Sequence, residues 1–192
     1  MTTMNDTIEN HRCSSTANPH SPIPIAYLIT YHTYGTWLHG EEDGSIDRRQ
    51  NEFGTPAFPA SSEYIQRAQA LMDQPEYCMD APRRAIVLQT ILEVCSTRGW
   101  TLFAAHVRTN HVHVVVHAPQ DPERVAGDFK AYASRNMNSA NFDFHDRKRW
   151  SRHGSTRYLW RNEDVEAAIR YVVDEQGEPM AVFENTSRTV ND

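Results

Sequence analysis

The chain has 192 residues, 39% hydrophobic and 23% charged, enough apolar material for one globular core and too much for a disordered chain. No apolar run reaches the roughly 20 residues of a membrane helix, and the N-terminal MTTMNDTIENHRCSSTANPHS has no secretory h-region. A net charge of −6 argues against a general nucleic-acid coat, and three scattered cysteines (Cys13, Cys78, Cys95) read as a reduced, cytoplasmic protein without a zinc motif.

Residues 1–22 are polar and aperiodic and read as a disordered arm. The β-branched and aromatic run Ile25–Thr33 predicts a first, largely buried strand, followed by a Gly- and acid-rich loop from Tyr34 to Ser45. Residues 46–79 contain Pro56, Pro59 and Pro75 and one short amphipathic stretch, Tyr64 to Met72, which reads as a surface insertion. Asp80-Ala-Pro82 is a helix start, and Ile86/Val87, Ile91 and Val94/Cys95 recur at helical spacing up to Gly99. Trp100–Val107 and His111–Ala118 are strands joined by Arg108-Thr-Asn110, a hairpin-length turn. Asp121-Pro122 opens a helix with Val125, Phe129 and Tyr132 on one face. A polar linker, 138–155, and a short strand, 156–160, come next. Asn162 caps a final helix with the apolar stripe Val165, Ala168, Ile169 and Val172. The order β-α-β-β-α-β-α predicts an α+β fold: a ferredoxin-like antiparallel sheet with helices on one face. The folded domain is expected over 23–185, with a flexible tail at 186–192.

His111-Val-His113-Val-Val-Val-His117 is the most chemical segment. Side chains alternate across a strand, so His111, His113, Val115 and His117 share one face and Val112, Val114 and Val116 the other. Two imidazoles two residues apart are separated by roughly 7 Å along the strand, a spacing that suits one cation with open positions left over. A solitary H-x-H is more often a pair of half-exposed strand histidines. His117, about 13 Å beyond His113 along the strand, reads as a surface or outer-sphere residue. On the last helix, Tyr171 falls about 120° from the buried stripe, on a flank, with Glu175 beside it and Gln176 turned back toward the stripe.

Arg108-Thr-Asn-His-Val-His-Val-Val-Val116 resembles the histidine-hydrophobe-histidine (HUH) strand of single-tyrosine transposases. Trp160-Arg-Asn-Glu-Asp-Val-Glu-Ala-Ala-Ile-Arg-Tyr171 through Gly177 resembles the helix carrying the tyrosine in insertion-sequence-200-like and REP-associated tyrosine transposases. Tyr27–Gly40 is similar to the first strand and loop of the REP-associated branch. The ordered set spans about 25–185. The resemblance implies an HUH-nuclease fold that cleaves and rejoins single-stranded or hairpin DNA through a 5′-phosphotyrosine on Tyr171. It also implies Mg²⁺ or Mn²⁺ held by His111, His113 and a third ligand one turn after the tyrosine. That ligand is usually Gln or Asn. By count it is Glu175 here, with Gln176 serving if the helix end is distorted. Relatives include both monomers and homodimers.

Between Asp146 and Arg161, Arg147, Lys148, Arg149, Arg152, Arg157 and Arg161 face a single acid and interleave with Trp150, Tyr158 and Trp160. Cations for phosphates and flat rings for unpaired bases suit a single-strand binder, with Lys130 and Arg135 extending the track; a solvated basic loop is the plainer alternative. Tyr132 and Tyr158 read as structural. Two other functions fit the same residues: a relaxase or replication-initiator type of nuclease, or a DNA-binding module that has lost catalysis.

Overall fold

The computed structural model describes residues 24–36 and 62–186. The expected N-terminal arm, most of the Tyr34–Ser45 loop, the first part of the 46–79 insertion and the tail beyond residue 186 lie outside the described residues. The elements are β1 (Ala26–Thr33), α1 (Ser62–Ala70), α2 (Ala81–Arg98), β2 (Thr101–Val107), β3 (His111–His117), α3 (Pro122–Ser139), β4 (Trp150–Leu159), α4 (Asn162–Asp174) and β5 (Ala181–Glu184).

The five strands form one sheet in the order β4-β1-β3-β2-β5, antiparallel at every pairing. The first four occupy the ferredoxin-like order. β1 and β2 run parallel, separated by β3, because the α2 crossover returns the chain to the same end of the sheet. Local chemistry sets the α2 ends: the Asp80 carboxylate accepts from the Arg83 N–H, proline stands in the first turn, and Gly99 closes the helix at φ +68°.

Two cores sandwich the sheet. On one face Val112, Val114 and Val116, all 0% exposed, meet Val87, Ile91, Val125 and Phe129 of α2 and α3. Burying each valine stabilises the fold by about 1.5–3 kcal/mol. On the other face Ala26, Ala104, Val115 and Leu159 receive Val165, Ala168, Ile169 and Val172 of α4. The α+β class and the α4 stripe are as expected, but helices do not sit on one face only: α2 and α3 cover one side and α4 the other. The cause is the sheet's second apolar layer, in which Val115 and two alanines let a helix approach.

Other differences have local causes. β4 begins at Trp150, inside the expected linker, because backbone pairing with β1 (Thr33↔Trp150, Thr30↔Ser155) needs no hydrophobic alternation on an edge strand. Gly154 permits this pairing, since a Cβ there would collide with the Thr30 carbonyl. β5 has only four residues, too short to carry a pattern. The α4 N-cap is Arg161 rather than Asn162, without a side-chain cap bond, and its guanidinium instead pairs with Asp164 at 3.2 Å. The α3 stripe is Val125, Phe129, Ala133 and Met137; Tyr132 lies outside it, 37% exposed beneath the Arg135 guanidinium.

Candidate active site

The β3 hairpin places the two histidines. The Asn110 carbonyl accepts from the Thr33 backbone N–H at 2.8 Å and from the Thr33 and Thr36 hydroxyls at 3.1 and 3.2 Å, which ties the turn to the end of β1. The next two residues on the α4 side of β3 are then His111 and His113. Their ring centroids lie 4.8 Å apart.

Each ring is oriented by a neighbour. Asn110 Oδ1, which only accepts, lies 2.8 Å from His111 Nδ1, so that nitrogen carries the proton and Nε2 keeps a lone pair. Thr30, opposite His113 in the register, brings its hydroxyl to 2.7 Å from His113 Nδ1. Burial lowers both pKa values, to about 4 for His111 and about 3 for His113. Neighbouring cations and imidazoles push in the same direction, and hydrogen bonding to Gln176 partly offsets the fall. Both rings are therefore neutral bases at physiological pH, the form that ligates a metal.

This yields a testable pH dependence. Both groups have native pKa values below the ordinary 6.5, so between those values the unfolded chain binds more protons than the native one. The associated stability is fully present above about pH 6.5 and drains as pH falls toward 4 and 3. We expect the urea midpoint of the chelator-treated protein to drop between about pH 7 and pH 5. The decline should be shallower in the His111→Gln/His113→Gln double variant; identical slopes in both proteins would refute the assignment.

α4 crosses this face, and its C-terminal turn ends over the histidines. Tyr171 is 40% exposed on the helix flank, and its ring centroid lies 5.5 Å from that of His113 in an edge-to-face contact. The helix stops at Asp174. Glu175 is the C-cap residue (φ −100°, ψ 9°) and is exposed, while Gln176 follows in the turn that Gly177 completes at φ +73°. Among the described residues no three His, Cys, Asp or Glu side chains gather where they could hold a metal, so Glu175 does not join the histidines. The side chain that does is Gln176, which interacts with both imidazoles and donates from Nε2 to the Tyr171 carbonyl at 3.0 Å. Counting by whole turns points to Glu175, with Gln176 the alternative if the helix end is distorted; the helix ends at Asp174, and Gln176 is the side chain beside the imidazoles. Two imidazole nitrogens and an amide oxygen make a neutral N/O donor set that fits a divalent cation with positions to spare.

Two further histidines stand beside the pair, and sequence reasoning missed the first of them. His106 is 0% exposed, opposite His113 on β2, with Nδ1 2.9 Å from the Val172 carbonyl. His32, opposite His111 on β1, has its ring 5.7 Å away. A lone histidine inside the run Phe103–Val107 was the available signal for His106. His117 lies at the far end of β3, exposed, with Nδ1 2.8 Å from the Ile25 carbonyl.

The basic cluster divides in two. Arg149 is 3% exposed and pairs with Asp143 at 3.0 Å, a carboxylate also bound by Arg83 at 2.8 Å and by the Tyr77 hydroxyl at 2.7 Å. Burial and that carboxylate push the Tyr77 pKa up to about 12. Arg147 donates to the Pro75 and Glu76 carbonyls and to Gln74, and Lys148 pairs with Asp73. Lys130 donates to the Ser151 and His153 carbonyls and sits over the Tyr31 ring, and burial lowers its pKa to about 8. The Trp150 indole donates to the Lys130 carbonyl at 3.0 Å. These groups staple the 73–76 segment and the α3–β4 connection to the core. Arg135, Arg152, Arg157 and Arg161 are exposed. Tyr158 and Trp160, 46% and 48% exposed, stack with centroids 6.1 Å apart. Among the described residues no helix is long and apolar enough to cross a membrane.

Among solved structures the chain is similar to a REP-associated tyrosine transposase bound to a REP hairpin, at 12% identity over 83% of this chain and 72% of that one, with a TM-score of 0.43. It is also similar to a crystal structure from Deinococcus radiodurans R1 described as a candidate transposase, at 14% identity over 83% and 96% of the two chains, with a TM-score of 0.39. No curated protein matches the chain in sequence. The model of the family described as "Transposase IS200 like" matches residues 76–172, from the segment before α2 through both histidines and Tyr171. With just over half its length covered by that match, the chain belongs to the IS200-like transposase family.

Proposed function

We propose that this transposase cuts and rejoins single-stranded DNA at a hairpin or repeat, with Tyr171 as nucleophile. The observation that carries the reading is the meeting of side chains from two distant parts of the chain, β3 and the end of α4. The Tyr171 phenol lies against His113, His113 is paired with His111, and Gln176 is hooked to the carbonyl of Tyr171 itself. In the reaction Tyr171 Oη attacks the scissile phosphorus and gives up its proton. The bond from phosphorus to the 3′ oxygen breaks, and that oxygen takes a proton to become a free 3′-OH. The 5′ side stays esterified to Tyr171, which conserves the bond energy for rejoining without a nucleotide cofactor.

His111, His113 and Gln176 would hold a divalent cation, whose chemistry is to polarise the phosphate oxygens. A donor set without a carboxylate favours Mn²⁺ over Mg²⁺. Asn110 holds the His111 Nδ1 proton, so that its Nε2 lone pair points away from that bond, and the Thr30 hydroxyl engages His113 through Nδ1, which leaves Nε2 as the nitrogen for a cation. The experiment is incubation with end-labelled hairpin DNA and Mn²⁺, followed by a denaturing gel. A protein–DNA adduct on the 5′ side of the cut supports the reading, and binding without an adduct across many hairpins defeats it.

Exposed Arg152, Arg157 and Arg161, with the stacked Tyr158–Trp160 pair, are assigned to DNA contact, whereas Lys130, Arg147, Lys148 and Arg149 are structural. These roles separate experimentally. Arg149→Ala leaves Asp143 short of a partner and should cost about 3–5 kcal/mol in denaturant unfolding. The Arg157→Ala/Arg161→Ala double variant should stay within about 1 kcal/mol of the parent and lower the slope of log K against log salt by about 2. A DNA-binding defect in a fully stable Arg149→Ala protein would reverse the assignment.

A further inference from the structure

The last turn of α4 leaves backbone carbonyls that no later helical N–H can satisfy, and no basic side chain of its own lies there to help. Two consecutive carbonyls find partners from outside the helix. Tyr171 O accepts from Gln176, and Val172 O accepts from His106, a residue of β2 distant in sequence.

The His106 tautomer follows from its neighbours. The Met180 backbone N–H at 3.3 Å and an Arg108 guanidinium nitrogen at 3.4 Å are both donors aimed at Nε2. Nε2 must therefore accept, so Nδ1 carries the proton and donates to Val172 O. One buried ring thus joins three pieces: the sheet, through its own strand beside His113; the end of α4; and the chain entering β5 at Met180. Arg108 extends the clamp by donating to the Glu178 carbonyl at 3.2 Å.

We infer that His106 is a positioning residue, whose hydrogen bond to Val172 sets where the Tyr171 phenol and the Gln176 amide stand relative to His111 and His113. The inference rests on the reading of Tyr171 as nucleophile. The apolar stripe of α4 packs on Ala26, Ala104, Val115 and Leu159 through contacts that have no preferred direction, and the hydrogen bond at its final turn adds a directional constraint next to Tyr171 and Gln176. His106 itself does not touch the reacting atoms.

Two substitutions split the ring into halves. His106→Asn places an amide N–H near the position of Nδ1, and His106→Gln places an amide near that of Nε2. Both variants lose packing, so comparing them cancels the general cost of altering a buried site. With wild type forming the Tyr171 adduct on labelled hairpin DNA, single-turnover adduct formation in His106→Asn should remain within about three-fold, and in His106→Gln should fall at least ten-fold, with hairpin affinity unchanged in both. Equal loss in the two variants, or no loss in His106→Gln, overturns the inference. If wild type forms no adduct, the nucleophile assignment has failed, and amide exchange at 173–176 still decides the clamp. Faster exchange in His106→Gln alone supports it; equal exchange in the two variants refutes it.

Discussion

Replacing Tyr171 by Phe is expected to abolish the covalent protein–DNA adduct, with a loss of at least about 10³-fold in strand cleavage and a change in hairpin affinity of no more than about three-fold. Only the hydroxyl is removed. The ring's edge-to-face contact with His113 survives, and Tyr171 contributes nothing to the Val165, Ala168, Ile169 and Val172 stripe that holds α4 to the sheet. The unfolding midpoint should therefore move little, so lost cleavage reports chemistry rather than misfolding. Tyr158 and Tyr132 serve as internal controls, being exposed tyrosines outside the histidine site. An adduct that persists in Tyr171→Phe and vanishes in Tyr158→Phe would transfer the nucleophile to the edge strand and break the proposed reaction centre.

The second large effect concerns the cation. His113→Ala should lower cleavage by about 10²–10³-fold at fixed Mn²⁺, because it deletes one of the two nitrogen donors proposed for the cation, a ring itself only 5% exposed to solvent. Gln176→Ala should weaken metal affinity by about ten-fold or more, with cleavage recovered by added Mn²⁺. Glu175→Ala should change either quantity by less than about two-fold, because the carboxylate points to solvent from the C-cap and lies outside the histidine cluster. Isothermal titration with Mn²⁺ alone, without DNA, gives the same ranking independently of turnover. Should Glu175→Ala prove the more damaging of the two, the last turn of α4 must rewind into regular helix when metal binds.

How far the sequence led is visible in α2 and α4. The α2 caps and both apolar stripes are local properties, written within a few residues, and both helices form where the periodicity places them, although α4 starts from Arg161 without a side-chain cap. The alternation of His111, Val112, His113 and Val114 likewise fixes which side chains share a face, since a strand admits only two sides. What local pattern does not encode is which partner covers each face. Val115 shares a face with the histidines, and only the docking of α4 there makes it core, which is why helices occupy both sides of the sheet.

The basic run shows the same boundary. Six cations between residues 147 and 161 look alike in the sequence, yet Asp143, Asp73 and the 75–76 carbonyls claim half of them. A charge's role depends on the partner that folding brings it and on how exposed it then stays, since Arg157 and Arg161 face Asp164 yet remain exposed, whereas the partners of the other three come from before α2 and from the α3–β4 connection. By itself, then, the sequence determined the strand with its two imidazoles, the helix with its phenol, and their order along the chain. Tertiary structure alone decided that phenol and imidazole meet, that Gln176 rather than Glu175 reaches them, and that His106 grips the helix end. Those outcomes depend on where a helix stops and on contacts across a sheet, and neither is a property of neighbouring residues.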